Sequence, residues 1–195
     1  IVKMGEVLDY PIDFFLETDK DNVILAPSTY FRSQLTTNKK YRTEQIFKIG
    51  LICRIYAYIS EYIEFPELNT PHYESYSDYE EAAISLRNQW GLSDKPIDNL
   101  IYVAEQNGLI LTSYATPTNA IDAFSQCLNI HDSVRYVIAL SKNKTSASRI
   151  HFDVAHELGH ILLHEWSENV EDLLPEEFRE REQEANDFAS AFLLP

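Results

Sequence analysis

Apolar residues recur every three or four positions in some stretches of the chain and run almost unbroken in others, which separates helices from strands. From Thr43 to Phe65, the residues Ile46, Ile49, Ile52, Tyr56, Ile59 and Ile63 mark one face of a long amphipathic helix that Pro66 ends. Ahead of it, "GEVLDYPIDFFLE" (5–17) reads as a short apolar helix with a proline stop. A polar connector through "FRSQLTTNKKYR" (31–42) follows and carries the main basic cluster. The stretch "ELNTPHYESYSDY" (67–79) is turn-rich and reads as a linker.

Beyond the linker, "DYEEAAISLRNQWGL" is a helix capped by Asp78, with Glu81 at the capping-box position and Gly91 at its end. A second helix, "IDNLIYVAEQNG", starts behind Pro96 and stops at Gly108. Three strands are expected next, over 109–115, 121–130 and 135–141, all rich in apolar, β-branched or aromatic residues. Two more helices close the pattern, over 146–165 and 175–194, the second opening on Pro175, Glu176 and Glu177. The pattern predicts an α+β fold: a mostly helical domain over 78–195 with a small three-stranded sheet, preceded by a helical N-terminal region over 1–66.

Composition narrows the function classes. The chain has 195 residues and a formal net charge of −15, so its surface field repels phosphate backbones and anionic lipid. Nucleic-acid binding by this stretch itself is not expected. Cys53 and Cys127 lie in no C-x-x-C pair, which points to buried thiols rather than a zinc knot or a disulfide framework. There is no apolar run near the ~20 residues needed to span a bilayer and no basic-then-apolar leader, so a cytoplasmic, membrane-free protein is expected. The chain starts at Ile1 and stops within the apolar run "AFLLP", which suggests a piece of a longer protein. The length of the 43–65 helix would also suit a dimer contact.

The stretch that carries chemistry is "DVAHELGHILLHEW" (153–166). His156 and His160 are four residues apart and so project from one helix face, where two imidazoles can share one metal ion. Glu157 completes H-E-x-x-H, in which the glutamate is a general base rather than a ligand. These groups sit among Val154, Ala155, Leu158, Ile161, Leu162 and Leu163, where burying them without partners would cost several kcal/mol each, about 1–3 by mutational measures and more for a charge. Gly159 costs a helix about 1 kcal/mol relative to alanine, which suggests that another segment or a substrate comes close there.

Zinc needs a third protein ligand. His164 continues the spacing, but on a straight helix it lies about 12 Å along the axis from His156, while zinc reaches only ~2 Å to each nitrogen. A hydrogen-bonding or solvent-facing role suits it better. The next helix offers Glu182 as the carboxylate, with Asn186 one turn on to orient a metal-bound imidazole from behind. Glu184 falls about 200° from Glu182 on the helical wheel, so both cannot face one ion.

"RIHFDVAHELGHILLH" (149–164) followed by "EQEANDFASAFLLP" (182–195) resembles the paired signatures of the ImmA/IrrE family of zinc metallopeptidases, compact gluzincin-like proteins. "AAISLRNQWGLSDKPIDNL" (82–100) and "VIALS" (137–141) resemble the family's preceding helix pair and sheet strand. The resemblance implies a zincin-like fold and Zn2+ on His156, His160 and Glu182, with Glu157 polarising the water. It also implies an endopeptidase of bacteria, phages or mobile elements that cleaves a helix-turn-helix repressor. "LDYPIDFF" (8–15) and "YFRSQLTTNKK" (30–40) resemble the joint in longer members, where a helix-turn-helix domain precedes the peptidase; DNA would then be met only through that missing domain.

The expected reaction is metal-assisted peptide hydrolysis with Glu157 shuttling the proton. Tyr136, Arg149 and His164 are candidates for the oxyanion partner. A second reading is a transcription regulator whose peptidase-like domain senses a ligand or binds a partner. The intact set of His156, Glu157, His160 and Glu182 favours retained chemistry.

Overall fold

The computed structural model describes residues 2–8, 11–16, 23–31, 39–71, 78–114, 123–143, 146–166 and 170–195. Parts of five expected segments lie outside them: 9–10 and 17 of the first helix, 32–38 of the basic connector, 72–77 of the linker, and 115 and 121–122 of two strands. The described chain runs α1 (Val2–Leu8), a 3-10 turn (Ile12–Phe15), β1 (Val23–Phe31), α2 (Lys39–Ser60), α3 (Tyr79–Gln89), α4 (Leu100–Gln106) and β2 (Ile110–Tyr114). It continues through β3 (Ala123–Ile130), β4 (Ser133–Ser141), α5 (Ala147–Leu163) and α6 (Pro175–Leu193).

The α+β class and the three expected strands are present, and a fourth strand joins them in the order β1-β3-β4-β2. β1 pairs antiparallel with β3 in a stretch that the sequence pattern leaves without an element of its own. Its composition, VILAPSTYF, suits a strand, but Pro27 interrupts it. Proline is tolerated on an edge strand at an irregularity, and the β1–β3 register shifts between Leu25 and Thr29. β3 and β4 form a hairpin whose turn residues, His131 and Asp132, take φ of 48° and 63°. Two successive left-handed residues are what a tight hairpin turn twisted like its strands requires. β2 lies parallel to β4 at the other edge.

At the N-terminus the single expected helix over 5–17 is instead α1 and the 3-10 turn, with Pro11 just before the turn. Further on, the caps anticipated from sequence are in place. The Asp78 carboxylate accepts from Glu81 N–H at 2.8 Å, and Gly91 takes φ 67° after α3. α4 starts at Leu100, later than the expected start behind Pro96, and Asn99, which the sequence reading did not name, caps it by accepting from Tyr102 N–H at 3.0 Å. At the start of α6 the Glu177 carboxylate accepts from Leu174 N–H at 3.0 Å.

The sheet separates two cores. On one side α2 presents Ile49, Cys53 and Ala57 to Phe124, Leu128, Ile130, Val137 and Ala139. The long helix assigned by its pattern to an N-terminal region therefore shares a core with strands of the 78–195 region. Burial pushes the Cys53 thiol up to about 12. On the other side α3, α4, α5 and α6 gather around Leu86, Leu100, Leu158, Leu162, Phe188 and Phe192, with Ile138 from β4. Successive residues of β3 and β4 face opposite cores: Phe124 and Leu128 turn to α2, while Ser125 and Cys127 turn to α5.

Candidate metal centre

The site forms where α5 and α6 cross. A methyl group added at Gly159 would sit 2.9 Å from Ala185 Cα and 3.2 Å from a Phe188 ring carbon, both on α6. The glycine is there because a neighbouring backbone is, and the two helices approach as closely as a missing side chain allows. Ala185 and Ala189, both fully buried, keep the α6 side of the contact equally thin. Glu182 lies just under one turn before Ala185, so this close packing carries its carboxylate to the histidine face of α5.

The result is a compact donor set. His156 Nε2 and His160 Nε2 lie 3.1 Å apart. Glu182 approaches them with Oε2 3.6 Å from the first and Oε1 3.3 Å from the second. One ligand atom from each of the three residues falls within 4.8 Å of the others. Both histidines are fully buried, and only Glu182 reaches solvent, at 15%. Two imidazoles and a carboxylate converging on one point make a three-ligand set of the kind that catalytic zinc uses. His156, His160 and Glu182 thus fit a zinc ion through their own arrangement.

The electrostatics agree with that fit. Burial holds His160 in the neutral form, at about 3, although Glu182 pulls the other way. Burial alone would raise the Glu182 carboxyl, but its hydrogen bonds with His156 and His160 outweigh that and bring it down to about 2. A neutral imidazole beside an ionised carboxylate is the protonation state in which both can bind a cation.

Glu157 is buried beside the first ligand, and its Oε2 accepts a hydrogen bond from Ser125 Oγ on β3 at 2.5 Å. Sequence reading did not single out Ser125. The available signal was a small polar residue in an apolar strand, on the face that alternation assigns to α5 rather than α2.

His164, buried at 3% exposure, is a hydrogen-bonding residue and faces no solvent. Its Nδ1 meets His160 Nδ1 at 2.9 Å, and its Nε2 meets Glu184 Oε2 at 3.1 Å. It stands behind the donor set, on the far nitrogen of a ligand. That is where an orienting group belongs, and the sequence had suggested Asn186 for such a role. Asn186 is partly buried one turn beyond Glu182, and its backbone carbonyl accepts from Ser190 Oγ at 2.9 Å. The three oxyanion candidates have other partners: Arg149 pairs with Asp153 at 3.1 Å, Tyr136 bonds Cys127, and His164 is held as described.

Residues 111–195, which include every residue of the donor set and Glu157, match the Peptidase_M78 family model, described as the IrrE N-terminal-like domain. The match supports the resemblance to ImmA/IrrE proteins and a metallopeptidase-like role for this segment. No curated protein and no solved structure matches the chain. No helix among the described residues is long and apolar enough to cross a membrane.

Proposed function

We propose that this chain, similar over residues 111–195 to IrrE N-terminal-like domains, is a zinc-dependent endopeptidase. The observation that carries the reading is the convergence of His156, His160 and Glu182 within 4.8 Å. Glu157 lies adjacent, buried and held by Ser125 at 2.5 Å.

His156, His160 and Glu182 would hold the ion. When bound, zinc supplies Lewis-acid polarisation of the scissile carbonyl and lowers the pKa of water toward 7. The protein's own contribution is the proton path. The Glu157 carboxylate removes a proton from the attacking water as its oxygen bonds to the carbonyl carbon. It then delivers that proton to the amide nitrogen as the C–N bond breaks, leaving a free acid and an amine. The Ser125 hydroxyl occupies one carboxylate oxygen and fixes the plane of the other. Substrate must reach the site past Glu182, the one member of the set with solvent access.

The family resemblance supports a regulatory substrate, a helix-turn-helix repressor. Cleavage would then serve a stress response or the induction of a phage or mobile element, in the cytoplasm of a bacterial host. The test combines metal analysis with a cleavage assay on helix-turn-helix regulators from the same genome. Stoichiometric zinc that disappears in His156→Ala, and cleavage that disappears in Glu157→Gln, are expected. Zinc binding with equal cleavage by wild type and Glu157→Gln, or with none by either, would favour a sensor or partner-binding domain instead.

A further inference from the structure

The ring nitrogens at the site form a run of three contacts. His156 Nε2 meets His160 Nε2 at 3.1 Å, His160 Nδ1 meets His164 Nδ1 at 2.9 Å, and His164 Nε2 meets Glu184 Oε2 at 3.1 Å. Each of the two outer contacts needs one proton, and each neutral imidazole carries one. The direction of the run is fixed at its outer end. The Glu184 carboxylate, on a side chain 55% exposed, only accepts, so His164 must donate through Nε2 and accept through Nδ1. His160 then donates through Nδ1, which leaves a lone pair on its Nε2. His156 Nε2 stands 3.1 Å away, a spacing that suits two nitrogens offering their lone pairs to one ion.

A competing pull acts at the same time. Glu182 Oε1, 3.3 Å from His160 Nε2, would draw a proton onto that nitrogen and close it to a metal.

We propose that Glu184 and His164 are positioning residues that hold His160 as the Nδ1–H tautomer, so that its Nε2 lone pair faces His156 and Glu182 ready for a metal ion. This rests on the metal-site reading above. An exposed carboxylate two hydrogen bonds from the site thus sets the donor state of a buried ligand.

Four variants test this: Glu184→Gln, Glu184→Ala, Glu184→Lys and, as a control for charge on the exposed surface one turn earlier, Glu180→Lys. The readouts are zinc affinity, by competition with a chromophoric chelator, and imidazole 15N shifts of the metal-free protein. Glutamine still accepts from His164 and keeps affinity near wild type. Alanine removes the acceptor and weakens zinc about 10-fold, within the range for loss of an outer partner. Lysine donates to His164, reverses the run and moves the His160 proton to Nε2, costing about 100-fold. Glu180→Lys should change little.

The proposal is overturned if glutamine loses as much as alanine, or if Glu184→Lys loses no more than Glu180→Lys. It is also overturned if wild-type His160 carries its proton on Nε2. A wild-type protein that binds no zinc overturns the metal-site reading itself. In that case the 15N shifts still decide whether the hydrogen-bond run exists.

Discussion

Helices α5 and α2 pack against opposite faces of one sheet, and both carry dense apolar patterns. In α5 every residue from Asp153 to Leu162 is buried, because β3 and β4 cover one side and α6 closes over the other. In α2 one face, centred on Ile49, Cys53 and Ala57, is buried, while Phe47, Leu51, Ile55 and Tyr58 stand exposed at 42–67%. Full enclosure changes what a polar residue can do. His156, Glu157 and His160 survive at 0% exposure only because each meets a partner in its own enclosure, and the low dielectric there strengthens those contacts. The exposed face of α2 has no such requirement.

The comparison can be broken at several points. The largest expected effect is chemical: Glu157→Gln should lower peptide hydrolysis by a factor of at least ~10² while zinc content stays stoichiometric, since it removes the base and keeps the shape. Turnover assays paired with metal analysis would show it, and equal loss of zinc and activity would mean that the residue is structural.

Next in size are the packing variants. Ile49→Ala, on the buried face of α2, should cost about 2–5 kcal/mol in denaturant unfolding. Gly159→Val pushes a branched side chain into the Ala185 backbone and should cost about 1–3 kcal/mol. It should also weaken zinc binding, because α6 must move and take Glu182 with it. Unchanged zinc affinity in that variant would separate the helix crossing from the site.

Acid should destabilise the metal-free protein. His160 is held neutral in the fold, at about 3 against an ordinary 6.5, so the unfolded chain binds the extra proton first as pH falls below 6.5. Glu182, at about 2 against 4.5, adds a loss below about pH 4.5 in the same direction. Melting temperature should therefore fall from pH 6.5 toward 3, and His160→Gln should flatten the upper part of that slope. The smallest effect is expected on the outer face of α2, where Ile55→Ala should stay within about 0.5 kcal/mol of wild type. A loss of several kcal/mol there would mean that something covers the face in solution.

Much of this was legible in the chain. The H-E-x-x-H spacing on a helix places two imidazoles on one face, and Asp78, Gly91 and Pro175 mark helix ends through local chemistry alone. Gly159 announced a close approach, though not by which element. The strand β1 was hidden because Pro27 breaks its pattern and its pairing with β3 spans about a hundred residues of chain. Ser125 and Glu184 were hidden for a related reason. A serine in a strand and a glutamate on an exposed helix face are ordinary until a fold sets them 2.5 Å from Glu157 and 3.1 Å from His164.

The sequence by itself determined the features that depend on short spacing: which segments are helical, which side chains share a turn, and which of them have the chemistry to bind a metal and move a proton. Tertiary structure decided everything that required two distant segments to meet. It brought Glu182, which helix geometry already favoured over His164, to the two histidines through the close Gly159–Ala185 contact between α5 and α6. It also joined His164 and Glu184 into a hydrogen-bonded support behind His160. Spacing along a helix fixes direction to within a turn, but the identity of a partner across a helix crossing depends on how closely two backbones can pack.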